Sequence, residues 1–255
     1  MQAMIILLHS SKTMRSQSVK GLRSPQLINQ SIELSNYLKS LRPQQLLKIM
    51  HISKPLAETT YQVIAGWSSE PQTPALDCFV GDIYRGLGAS DLTTAERDYA
   101  DQHLYILSGL YGCLRPYDGI QPYRLEMAYK LPKSEFSNLY KYWGQVVASL
   151  LPDEITVNVS SVEYSKLVLP FIKPDKVVTP EFLTIDAKSG RPSFTAVHAK
   201  VARGAFARWM IQNQVQDTAR LQDFAELGYR YNQQLSKPQQ PVFICQKFGG
   251  LGLKA

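Results

Sequence analysis

The sequence is poor in the residues that build covalently or metal-braced scaffolds. Its three cysteines, Cys78, Cys113 and Cys245, lie far apart and form no C-x-x-C pair, which argues against a disulfide framework and a structural zinc site. The four histidines, His9, His51, His103 and His198, show neither H-x-x-x-H nor H-E-x-x-H spacing, so no two are set on one helical face as ligands. Neither a metal nor a cofactor is expected. Long apolar runs are also missing: nothing approaches the roughly 18–20 residues of a membrane helix. The short run at residues 3–8 lacks the preceding cations of a signal peptide. A cytosolic protein without membrane contact is expected. Internal repeats, low-complexity tracts and long linkers are absent, so residues 1–255 read as one domain.

What is present is enough apolar material for a core, with 44% hydrophobic and 10% aromatic residues. Lysine and arginine number 28 against 21 acids, a net charge of +7, which favours anionic partners. Residues 4–8 form an apolar run with two isoleucines, the pattern of a strand buried on both faces. Residues 104–107, 155–159 and 242–245 repeat that pattern. Residues 14–24, including Lys20, read as an exposed loop. Helices are predicted over 26–40, 43–50 with Pro43 in the first turn, 53–67, 91–102 capped by Asp91 or Thr93, 138–151, 160–170, 198–213 and 218–227. Residues 177–186 and 192–197 read as a hairpin. Interleaved helices and strands define a mixed α/β (α+β) domain, a mixed sheet surrounded by helices.

Several constellations can carry chemistry. On the helix at 198–213, Lys200, Arg203, Gly204, Ala207, Arg208 and Ile211 fall on one face, and the small residues let an anion or another backbone come close. Ser10, Ser11, Lys12 and Thr13 follow the first strand, where open α/β sheets place ligands, although the glycine spacing of a P-loop is missing. Asn158, Ser160 and Ser161 end another strand and open a helix bearing Glu163, Tyr164 and Lys166, an arrangement suited either to capping or to an anion. Gly109 and Gly112 with Arg115 come close to the hairpin of helix-hairpin-helix modules, with one residue too many between the glycines, so a tight structural turn is the competing reading. Tyr123, Arg124 and Glu126 put an aromatic, a cation and a carboxylate within four residues, with Arg124 and Glu126 on one face if the segment is a strand.

Taken together, these blocks resemble the YaaA family of the bacterial peroxide-stress response. The resemblance rests on Lys12 and Thr13, Gly-Asp-Ile-Tyr-Arg-Gly-Leu at 81–87, Leu-Ser-Gly-Leu-Tyr-Gly at 107–112, Leu-Arg-Pro at 114–116, Pro-Tyr-Arg-Leu-Glu-Met at 122–127, Tyr-Trp-Gly at 142–144, Asn158, Ser161, Glu163, Tyr164, Ala199, Lys200 and Ala-Arg-Gly at 202–204. It implies a compact α/β domain with a positively charged cleft, a helix-hairpin-helix-like element, DNA binding, and a role in limiting intracellular iron and oxidative DNA damage. The family usually reads Ser-Pro-Ala-Lys-Thr at the first turn, where this chain has His-Ser-Ser-Lys-Thr at 9–13.

The phosphate-binding set expected from residues and resemblance is Lys12, Thr13, Gly109, Gly112, Arg115, Tyr123, Arg124, Asn158, Lys166, Lys200 and Arg203, with Tyr84, Tyr123 or Tyr164 stacking on bases. DNA, without sequence preference or with a preference for structure, is the expected partner of a monomer. The alternative is an enzyme acting on a nucleotide or a nucleobase, including one flipped out of DNA, with Glu126 and Glu163 as acid and base beside Lys12 or Lys200.

Overall fold

A computed structural model describes residues 4–19 and 22–250; Lys20, in the predicted loop, lies outside them. The apolar run becomes β1 (Met4–His9), and the turn after it forms β2 (Thr13–Met14). Three helices follow: α1 (Ile28–Lys39), α2 (Pro43–Met50) and α3 (Lys54–Gly66). Pro43 occupies the first turn of α2, as its fixed φ and missing N–H favour. The segment from 73 to 87 contains β3 (Thr73–Pro74), α4 (Ala75–Cys78), β4 (Phe79–Val80) and α5 (Asp82–Leu87). Helix α6 (Thr94–His103) opens with a capping box between Thr93 and Glu96.

Strands β5 (Leu104–Ser108), β6 (Gly112–Leu114) and β7 (Gly119–Ile120) precede α7 (Leu139–Ala148), which Asn138 caps through Lys141 N–H. Strand β8 (Ile155–Asn158) leads into α8 (Val162–Ser165). Helix α8 is a single turn rather than the helix expected to Pro170: the chain turns after Ser165 and resumes as a 3-10 segment, Leu169–Phe171, with Pro170 in its first turn. Strands β9 (Val177–Val178), β10 (Glu181–Ile185) and β11 (Pro192–Ser193) follow, then α9 (Ala196–Gln212), β12 (Tyr229–Tyr231) and β13 (Val242–Cys245). The helix predicted at 218–227 is a 3-10 segment, Thr218–Asp223.

The main sheet has the order β6-β5-β1-β8-β9. Its four strands β5, β1, β8 and β9 run parallel, and β6 closes one edge antiparallel. Strand β1 is central: the chain leaves it to add β5 on one side and returns later to add β8 on the other. A crevice therefore opens beyond the carboxyl ends of β1 and β8, where the connections diverge. A second sheet, β11-β10-β13-β12, carries the predicted hairpin as β10 and β11. Residues 177–178 do not belong to that hairpin, since they pair with β8 as β9. Pro180 lacks the N–H needed to continue a ladder, and the chain changes sheets there. Phe182, Phe206, Phe224 and Phe243 pack edge-to-face and stacked between α9 and this second sheet.

Helices α5 and α9 meet backbone to backbone. A Cβ on Gly86 would overlap the carbonyl oxygen of Val201, and one on Gly204 would overlap that of Ile83. Gly204, Ala207 and Ile211 are buried there, so the small residues of α9 admit another helix rather than an anion, and the face expected to be cationic is reduced to Lys200 and Arg203. Arg208 turns back to Gly88, donating to its carbonyl at 2.8 Å, and lies 3.6 Å from Asp91. Replacing Gly204 by Ala should overpack this contact and destabilise the fold by about 1–3 kcal/mol or more, read as a lowered midpoint in denaturant at unchanged slope; an unaltered midpoint contradicts the close contact.

Candidate functional site

The crevice beyond β1 and β8 holds a cavity of about 320 Å3 lined by His9, Ser10, Ser11, Lys12, Gly81, Asp82, Ile83, Glu126, Ser161, Glu163, Tyr164 and Lys200. Five parts of the chain converge on it, Glu126 coming from the segment at 122–128. The end of β1 supplies His9 and the three residues after it, held in place because Thr13 pairs with Val80 in the β2–β4 ladder and Ser11 Oγ donates to the Val80 carbonyl. The start of α5 supplies residues 81–83, the turn after β8 supplies Ser161, Glu163 and Tyr164, and α9 supplies Lys200.

Behind the cavity lies a buried hydroxyl network. Ser10 Oγ donates to the Tyr164 hydroxyl at 3.1 Å, Ser108 Oγ and the Tyr123 hydroxyl lie 2.7 Å apart, and the Tyr84 hydroxyl donates to the His9 carbonyl at 2.9 Å. Tyr84, Tyr123 and Tyr164 are buried with their hydroxyls engaged, so Tyr84 and Tyr123 are not available to stack on bases, contrary to expectation. Their burial is what makes the floor rigid, since each buried hydroxyl has a partner. Tyr164 lines the cavity and stacks on His9, with ring centroids 5.1 Å apart.

His9 is a residue whose role sequence reasoning missed. Its Nδ1 accepts the Ser161 N–H at 3.2 Å, which places any proton of the neutral ring on Nε2. Burial, then the nearby Arg203 and Lys200 charges, push its pKa from 6.5 down to about 3. The signal in the sequence was the departure from the family's usual turn, a histidine where a serine is customary. The same hydrogen bond engages the Ser161 N–H, and no serine side chain caps α8, so that amide is satisfied by His9 rather than by a cap.

Glu126 and Glu163 face the same cavity. Burial raises the Glu126 pKa; Lys12 opposes the rise, the Glu163 charge adds to it, and hydrogen bonding by Tyr164 and the charge of Arg124 oppose it. Glu163 Oε1 accepts the Ala128 N–H at 3.0 Å, which anchors the 122–128 segment to α8. That segment is irregular backbone rather than the strand expected to carry Arg124 and Glu126 on one face. Arg124 sits near Glu126 and Tyr129, and its Nε is buried without a hydrogen-bond partner among the described residues.

Other expected site residues fall elsewhere. Gly109 and Gly112 are buried in the turn between β5 and β6: a Cβ on Gly109 would overlap the Leu125 carbonyl oxygen, and Gly112, at φ +68°, faces Trp143, Leu27 and Val147. Both neighbours of that turn are strands, so residues 107–116 form a strand hairpin and not a helix-hairpin-helix element. Arg115 lies 4.8 Å from the ring centre of Tyr105, away from the cavity lining. Asn158 is buried, its amide donating to Thr179 Oγ1 and its Oδ1 accepting from Ser160 N–H and Oγ–H; it shapes the strand end. Lys166 is exposed beyond α8 and Thr13 is exposed beside Lys12, neither of them part of the lining.

Lys12 and Lys200 are exposed and Arg203 is half-buried. Burial lowers the Arg203 pKa from its ordinary value, with Glu181 opposing. None of the three has a carboxylate within ion-pair distance among the described residues, whereas Arg23, Arg97, Lys176 and Arg208 are all paired. A second hollow of about 390 Å3 shares Gly81 with the first and runs past Arg15, Tyr84, Arg85, Gly88 and Asp91, so the two adjoin at the start of α5, their linings bringing lysines and arginines together with carboxylates. No group of three or more His, Cys, Asp or Glu side chains among the described residues is placed to hold a metal. No helix among them is long and apolar enough to cross a membrane.

The sheet and its strand-end cavity, lined by lysines and carboxylates together, define a mixed α/β protein with a charged crevice at the carboxyl ends of its strands. Residues 4–235 match the family described as Peroxide stress protein YaaA, and the chain belongs to that family. It is similar to a UPF0246 protein of Salinispora tropica, 53% identical over 255 residues, covering 98% of this chain and 97% of the relative. UPF0246 proteins of Burkholderia lata and Burkholderia vietnamiensis are each 37% identical over 257 residues, covering 94% of this chain and 98% of each relative.

Unfolded His9 takes up a proton near 6.5 and folded His9 only near 3. Lowering the pH from about 6.5 towards 3 should therefore destabilise the fold, by at most about 1.4 kcal/mol per pH unit, with no contribution from His9 above 6.5. Nuclear magnetic resonance should find the His9 ring neutral at pH 5, and His9→Gln should flatten the acid limb of the stability profile; a His9 resonance titrating near 6.5 contradicts the assignment.

Proposed function

We propose that the protein binds DNA through the cleft above β1 and β8, with Lys12, Lys200 and Arg203 contacting phosphates and Arg15 and Arg85 extending the track. The observation that carries this reading is that Lys12 and Lys200 line one strand-end cavity and Arg203 stands close enough to act on His9 at its edge, none of the three within ion-pair distance of a carboxylate among the described residues. Burial of Arg203 outweighs the opposing charge of Glu181, which lies outside ion-pair distance, so a ligand that supplies further negative charge is favoured there, and nucleic-acid phosphates are a repeating source of that charge. The contacts expected are to backbone, which gives affinity without sequence preference. Arg124, beside Glu126 with a buried unpartnered Nε, is a further candidate for the cleft wall.

Membership of a peroxide-stress family supports a protective cellular role. In this reading, bound DNA is shielded or attended to under oxidative stress, and limiting intracellular iron and oxidative DNA damage is its physiological result.

Fluorescence anisotropy of labelled duplex, bulged and single-stranded DNA across a salt series tests the reading. Engaging about four phosphates gives a log-log slope near −3 to −4, and Lys200→Ala with Arg203→Ala should weaken binding and flatten the slope by about 2. Unchanged affinity and slope in the folded double variant overturn the assignment.

A further inference from the structure

A cleft that only gripped phosphates would gain nothing from carboxylates, yet Glu126, Glu163 and Asp82 line the same cavity as Lys12 and Lys200. Each of those acids repels a phosphate that the lysines attract. The cavity volume, about 320 Å3, lies at the small end of the roughly 300–1,000 Å3 range of small-molecule sites. It suits one nucleoside unit and excludes a duplex.

The two glutamates occupy unlike surroundings. Glu126 is half-buried against Tyr164 and the hydroxyl network, and its raised pKa suits a carboxyl that holds a proton to donate. Glu163 has one oxygen fixed by the Ala128 N–H, leaving the other to accept. Two carboxyl groups in differing environments are the usual acid and base of a reaction that must protonate a leaving group and activate water. Cleavage at a sugar carbon has those needs, and its cationic transition state is stabilised by nearby carboxylates. Attack at a phosphate is opposed by them.

The rim supports extrusion of a unit from a helix. Val162, 67% exposed, stands between the lining residues Ser161 and Glu163, and Val197, 40% exposed, lies one helical turn before Lys200. Apolar side chains at such a rim can fill the gap that an extruded nucleotide leaves.

We propose that the cavity hydrolyses the N-glycosidic bond of a single nucleoside unit, with Glu126 as general acid, Glu163 as general base, and Lys12 and Lys200 holding the adjoining phosphate. The proposal rests on the reading of those cations as phosphate ligands. In the reaction a water oxygen bonds to C1′ while the C1′–N bond breaks, its electron pair passing to the base. Glu126 gives its proton to the departing base and Glu163 takes one from the water. The products are a free base and a sugar with a C1′ hydroxyl, and nothing is oxidised or reduced. The unit can come from DNA or from a free nucleoside monophosphate, which share the base, sugar and phosphate the site would read.

The test incubates the full chain in H2(18)O with plain duplex and single-stranded DNA, duplexes carrying one 8-oxoguanine, thymine glycol, hypoxanthine or uracil, and free nucleoside 5′-monophosphates. Mass spectrometry reads released base and the position of the label. Released base with label at C1′ is expected, with a rate that falls as pH rises past the Glu126 pKa. Glu126→Gln and Glu163→Gln should each lower that rate about 100-fold or more; Glu163→Gln should bind DNA at least as tightly because it removes a negative charge, and Glu126→Gln, replacing a protonated carboxyl, should bind it as tightly as the unaltered protein. Circular dichroism reports folding, and the Glu163 variant keeps an oxygen for the Ala128 N–H. Absence of base release by a protein that binds DNA overturns the hydrolytic inference alone, as does label in phosphate or a rate unchanged in both folded variants. Hydrolysis of free monophosphates without DNA binding upholds it and overturns the DNA reading, and failure of both assays overturns both.

Discussion

The contact on which the site depends is the backbone-to-backbone packing of α5 on α9 at Gly86 and Gly204. It sets the distance between one wall of the cavity, residues 81–83, and the other, Lys200. Side chains at either glycine would force the helices apart and separate the cation from the strand end it faces. The rest of α9 is committed elsewhere: Phe206 packs among the aromatics of the second sheet, and Arg208 is tied to Gly88 and Asp91. Only the segment from Lys200 to Arg203 is left to present charge to the crevice.

A second constraint is polar. The ends of β1 and β8 bring hydroxyls, a histidine and carboxylates into a half-dry space, where unpaired groups are expensive. The tyrosines answer this by burying their rings and giving their hydroxyls to Ser10, Ser108 and the His9 carbonyl. His9 stays uncharged among nearby cations, so the floor adds no positive charge of its own. Around this space Lys12, Lys200 and Arg203 lack ion-pair partners among the described residues and Arg124 keeps a buried Nε without a hydrogen bond, as does Arg115 away from the cavity. That imbalance is the physical basis for reading the cleft as a place for an anion.

Much of the scaffold was legible because local rules and tertiary packing agree. The apolar runs at residues 4–8, 104–107, 155–159 and 242–245 are strands, Pro43 starts a helix, and Thr93 with Glu96 caps another. Where the two disagree, local reading failed. The glycines at 109 and 112 resembled a phosphate-binding turn, yet they serve a buried strand hairpin against Leu125 and Trp143. Asn158 looked like a ligand and instead shapes its own strand end. The small residues of α9 fitted either an anion or a second backbone, and periodicity along one helix carries no information about which neighbour arrives.

By itself the sequence determined the fold class, the strand and helix periods, the excess of positive charge and the family to which the chain belongs. It also marked Lys12, Glu126, Glu163 and Lys200 as groups with chemistry to offer. Only the tertiary structure decided that these four line one cavity while Arg115, Asn158 and Lys166 do not, and that His9 holds Ser161 in an uncharged contact. The reason is that they come from separate segments spread from residue 12 to residue 200, joined across a sheet whose strand order reverses at β1. Convergence of that kind is set by topology and by which helices can approach, and no spacing along the chain encodes it.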